Sequence, residues 1–110
     1  MRARLTTDLW VSAYLARLRL ADIAAYVTAK GDATAGAVVV KVATLDGHAR
    51  AFQRGYDLQA DRPVWMVLAD GPEPEVDQAL ARQRNRDSDL WLIELEDRRG
   101  RTLLGEEGLD

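Results

Sequence analysis

The chain has 110 residues, 47% hydrophobic and 30% charged, a composition that suits one domain with its own core and lies well outside that of disordered chains. Fifteen basic against eighteen acidic residues give a net charge of −3, which argues against a nucleic-acid partner held by phosphate neutralisation alone. With no cysteine, disulfides, thiolate metal sites and a cysteine nucleophile are excluded. The basic start, Met1 to Leu5, leads into Thr6, Thr7, Asp8 and Ser12, which break up any signal-type apolar run. No stretch approaches the roughly 20 apolar residues of a membrane span, so a cytoplasmic protein is expected.

Thr6, Thr7 and Asp8 supply helix-capping side chains, and Trp10, Val11, Tyr14, Leu15 and Leu18 follow on one helical face. Asp22 to Thr28 is β-leaning and closes on Lys30-Gly31-Asp32. Gly36 to Thr44 carries Val38, Val39, Val40 and Val42, and Asp46-Gly47 follows as the strongest hairpin signal in the chain. A two-residue loop there pairs Leu45 with His48, Val42 with Ala51, Lys41 with Phe52 and Val40 with Gln53. Gly55 to Arg62 is polar and without periodicity, and reads as a loop.

Val64 to Leu68 is continuously apolar, as expected of a strand buried on both faces, and Asp70-Gly71-Pro72 ends it. Pro74 suits the first turn of a helix reaching Arg86, with Glu73, Glu75 and Asp77 early and Arg82, Arg84 and Arg86 late, as the helix dipole favours. Leu90 to Glu96 reads as a strand with Trp91, Ile93 and Leu95 on a core face and Leu90, Leu92, Glu94 and Glu96 on the other. Arg98-Arg99-Gly100 is a turn, Thr102 to Leu104 a short last pairing, and 105–110 an acidic, frayed tail beyond a single domain of residues 1–104.

Chemistry-bearing patterns are sparse. His48, the only histidine, follows a turn with no partner defined by spacing, and Ser12 and Ser88 lack a nucleophile-elbow surround. Lys30-Gly31-Asp32 and Ala35-Gly36-Ala37 fit neither a Walker nor a dinucleotide spacing. Trp10, Trp65 and Trp91 sit inside apolar patterns and read as core rather than as stacking platforms. No cofactor, metal or catalytic residue is expected. Two clusters stay open as alternatives. Arg82 and Arg86 form an i, i+4 like-charge pair that with Arg84 suggests contact with a phosphate ligand or RNA. Glu94 and Glu96 alternate onto one strand face, close enough to share a divalent cation in a metal-assisted hydrolase, while Asp87 and Asp89 lie too far along the strand to join that site.

The chain resembles an uncharacterised family of short bacterial proteins, a conserved domain of unknown function typical of alphaproteobacteria. The resemblance runs almost to Arg101. It is carried by Trp10-Val11, Lys30-Gly31-Asp32 with Ala35-Gly36-Ala37, Val40-Lys41-Val42, Trp65, Ala81-Arg82-Gln83, and Asp89-Leu90-Trp91 followed by Glu94, Glu96 and Asp97. It implies a compact domain and assigns no catalytic residue. The expected fold is α+β, one antiparallel sheet of about five strands with two helices packed on it. The expected function is a small non-catalytic interaction or accessory module that binds another protein or itself, with Leu90, Leu92, Glu94 and Glu96 as the candidate face.

Overall fold

The computed structural model describes residues 5–109; the basic start at 1–4 and Asp110 lie outside them. The element order is α1 (Thr7–Leu20), β1 (Ala24–Ala29), β2 (Val38–Ala43), β3 (His48–Asp57), β4 (Arg62–Pro72), α2 (Glu73–Arg86) and β5 (Trp91–Glu96). The five strands form one sheet in the order β1-β5-β2-β3-β4. An α+β fold with two helices and a five-stranded sheet is therefore present, but the sheet is mixed rather than purely antiparallel. β5 runs parallel to β2, and the other pairings are antiparallel. The reason is α2, which carries the chain from the end of β4 back over the sheet so that β5 enters beside β2 in the same direction.

Each face of the sheet has its own core. On one, Trp10, Val11, Tyr14 and Leu18 of α1 meet Val38, Val40 and Val42 of β2 and Trp91, Ile93 and Leu95 of β5. On the other, Val76 and Leu80 of α2 meet Val39, Ala49, Ala51 and Leu90. The period-2 alternation of a strand sends even and odd residues of β2 into different cores. β2 is thus the strand buried on both faces. That role was expected of Val64 to Leu68, but β4 is an edge strand in which Met66 and Val67 are 53% and 56% exposed.

Four further expectations are corrected. The Asp46-Gly47 turn is a three-residue loop, in which Thr44 N–H donates to His48 O at 3.1 Å and Ala43 pairs with Ala49, Val42 with Arg50, Lys41 with Ala51 and Val40 with Phe52. Asp46 Oδ1 accepts from Thr44 Oγ1 and His48 N, and Leu45 joins Gly47 at positive φ, which takes Leu45 out of the ladder and shifts the register by one residue. Half of the expected Gly55 to Arg62 loop is strand, with 58–61 left as the tip of a long hairpin. The last segment forms no strand at Thr102 to Leu104, and Leu103 and Leu104 pack against the α1-side core. In place of a frayed tail, Leu109 is 1% exposed in that same core and its carbonyl accepts a hydrogen bond from Trp65 Nε1 at 3.2 Å.

Candidate functional site

The charged residue most deeply committed to the fold is Lys41. Strand alternation points it to the α2 side, where it is only 3% exposed. Its Nζ donates to Asp77 Oδ1 at 2.6 Å, Glu73 Oε2 at 2.7 Å and Glu94 Oε1 at 3.1 Å. Glu73 and Asp77 lie one turn apart on α2 and Glu94 on the neighbouring strand, so the ammonium joins helix to sheet. Burial by itself lowers a lysine's pKa, but the hydrogen bonds it donates to Asp77, Glu73 and Glu94 outweigh it and the net shift is upward. All three N–H donors are occupied and the group stays protonated, which removes it as a nucleophile or Schiff-base lysine. The spacing reading missed this residue. The available signal was a single lysine inside an otherwise valine-rich buried strand.

Glu94 is thereby held by Lys41 rather than directed at Glu96. Among the described residues no group of three or more histidine, aspartate or glutamate side chains is arranged to hold a metal ion. A groove of about 170 Å³ opens beside Lys41, lined by Thr28, Asp77, Leu80, Ala81, Leu92 and Glu94. The rest of the candidate face is largely closed by α2: Leu90 is fully buried and Leu92 packs against the same core.

The arginines of α2 do not converge. Arg84 continues the Val76–Leu80 stripe toward the sheet and donates to Lys30 O at 3.1 Å, whereas Arg82 and Arg86 lie exposed on the opposite side of the helix. Of the turn arginines, Arg101 forks onto the buried Asp97 through Nε and Nη2 and holds that carboxyl below its ordinary pKa. His48 Nε2 lies 2.6 Å from Asp70 Oδ1 at the exposed end of β3, and the same carboxylate takes Arg50 Nε at 3.1 Å.

What the sheet leaves open is its two edges, and they differ. β4 is bounded by Pro63 and Pro72 and broken by a bulge after Ala51 of its partner, the devices by which proteins blunt an edge. β1, Ala24-Ala25-Tyr26-Val27-Thr28-Ala29, contains neither charge nor proline. Its inner side pairs with β5 from Ala24 to Val27, after which a bulge at Thr28 interrupts the ladder. Tyr26 is 54% exposed and Val27 is exposed as well. A cleft of about 290 Å³ runs along this strand, lined by Leu15, Arg19, Ile23, Ala24, Ala25 and Tyr26.

The fold recurs in other proteins. A crystal structure of a DUF1491 family protein from Caulobacter crescentus CB15 is 40% identical, with a TM-score of 0.85 over 94% of this chain and 97% of that one. An NMR structure of a DUF1491 family protein from the same organism gives 39% identity and a TM-score of 0.82 over 96% of both chains. The solution structure of protein Atu0922 from A. tumefaciens is 30% identical, with a TM-score of 0.71 over 86% of each chain. No curated protein matches. The family described as a protein of unknown function, DUF1491, matches residues 5–105, nearly the whole chain, and to that family this chain belongs.

Proposed function

We propose that this chain is a non-catalytic protein-interaction module whose contact element is the β1 edge, which takes up an extended segment by adding a strand to the sheet. One observation carries the reading: β1 is an uncharged, proline-free strand at an edge of the sheet, while β4 at the opposite edge is guarded. An unpaired edge offers backbone donors and acceptors in register, and side-chain pockets beside it supply selectivity. The cleft at Leu15, Ile23 and Tyr26 gives such a pocket. The chemistry at Lys41 supports the non-catalytic part, since its donors are saturated by carboxylates.

The test is selection of random peptides on the immobilised protein, followed by mapping of enriched peptides by amide chemical shifts. Enriched peptides are expected to shift residues 24–29 and to lose binding to Tyr26→Lys. Peptides that shift only other elements, or a selection that enriches nothing, would sink the reading.

A further inference from the structure

We infer that the occupant of the β1 edge is a second copy of this chain, paired antiparallel about a twofold axis near Tyr26. This rests on the edge reading above and adds the identity of the partner. The added observation is the charge flanking β1: exposed Asp22 precedes the strand and exposed Lys30 follows it, with no charged residue between them.

Antiparallel self-pairing centred on Tyr26 sets Tyr26 opposite its symmetry mate, Ala25 opposite Val27, and Ala24 opposite Thr28. At both ends it brings the Asp22 of one copy to the Lys30 of the other. Parallel pairing instead sets Asp22 against Asp22 and Lys30 against Lys30, which like-charge repulsion disfavours. The charge order along the strand thus selects one orientation, and the isologous arrangement closes after two copies without leaving the same edge open. Two flanking groups need accounting for. Asp22 also feels Arg101 of its own chain, and Arg19 lines the cleft beside the strand. Neither lies between Ala24 and Ala29, so the paired stretch itself stays neutral.

The bulge at Thr28 interrupts the Ala24–Thr28 pair, which limits the regular self-paired ladder to Ala25 through Val27. A contact of that length buries less than a standard stable interface, so the dimer is weak and depends on concentration and salt.

Sedimentation of the full chain from about 10 μM to about 1 mM tests this, because a weak dimer fills by mass action over that span. The expected result is a rise toward twice the monomer mass, reduced at high salt, with slowed amide exchange at residues 25–27 as concentration increases. Tyr26→Lys places two ammonium groups across the axis and is expected to abolish the rise. Should that variant fold poorly, Lys30→Glu at an exposed position sets carboxylate against Asp22 and is expected to weaken association at least tenfold, with Asp22→Lys in the same chain restoring it. A chain that stays monomeric throughout, or a dimer indifferent to all three substitutions, overturns the second-copy assignment. The edge reading is decided separately by the peptide selection, since a monomeric chain that still binds peptides at 24–29 keeps the edge and loses only this occupant.

Discussion

Lys41 stands in a strand with four valines and is almost as buried as they are. A lone ammonium there would be prohibitively costly, but Glu73, Asp77 and Glu94 satisfy all its donors while remaining about a third to a half exposed themselves. Removing the cation leaves three carboxylates facing one another, partly relieved by water. Lys41→Met is therefore expected to lower stability by about 2 kcal/mol in urea unfolding, less than for a fully buried pair because of that solvation. The pH dependence has a definite sign. The folded-state pKa of Lys41 is raised above its ordinary 10.5, so its contribution is full below that value and is lost as pH rises through the higher folded one. The stability gap between the parent and Lys41→Met should hold steady from about pH 7 to about pH 10. A gap that closes by about pH 9 would mean that the lysine does not stay charged in the fold.

The loop between β1 and β2 shows how much one element can depend on the absence of a methyl group. A Cβ on Gly31 would lie 2.0 Å from Asp89 O, and one on Gly36 2.3 Å from the same atom. That carbonyl accepts from Asp32 N at 3.0 Å, and Asp32 O accepts from Trp91 Nε1 at 2.8 Å, so the loop is buttoned onto the start of β5. Backbone cannot yield as a flexible side chain does, and Gly31→Ala is expected to cost about 3 kcal/mol by thermal or chemical melting. Gly47→Ala meets nothing within 4 Å and is strained only through its φ of 91°, at a cost of about 1 kcal/mol. Equal losses in the two variants would contradict the close approach at Asp89. α1, α2 and β5 were legible in the sequence because each buries one face, which writes a period into the residues, and β2, buried on both faces, was legible from its run of valines. The outer end of the β3–β4 arm was not: Gly55 to Asp57 pair across the hairpin with little core to face, so no alternation marks them. The parallel pairing of β5 with β2 was illegible for a different reason, since it depends on where α2 delivers the chain and not on any local pattern. At the site, the carboxylates were visible, but Lys41 and the grouping around it were not. Glu94 was noticed beside Glu96, but its partners Lys41, Glu73 and Asp77 lie on other elements.

At the scale of the molecule the two faces of the sheet are closed by different means. α2 covers one largely alone, held down by Val76, Leu80 and the Lys41 junction. α1 covers the other together with the last segment of the chain. Trp10 stacks on Tyr14 at 4.9 Å and meets Trp65 at 5.5 Å, with the Arg54 guanidinium over both tryptophan rings. Tyr14 Oη donates to Thr102 O at 2.7 Å, Arg17 reaches Glu106 Oε1 and Glu107 O, and Leu109 fills the remaining space beside Trp65. The exposed Arg17–Glu106 pair contributes little, so the weight of the tail rests on buried Leu109 and on the acceptor it gives to Trp65 Nε1. Deleting residues 105–110 is expected to cost about 3 kcal/mol in urea unfolding and to shift tryptophan emission to the red as water reaches Trp65. Leu109→Ala, which keeps the backbone acceptor, should cost about 2 kcal/mol with a smaller spectral change. If the truncated chain kept both its unfolding midpoint and its emission maximum, the tail would have no part in closing this face. α1 would then have to cover it unaided, with a leucine-sized gap left beside Trp65.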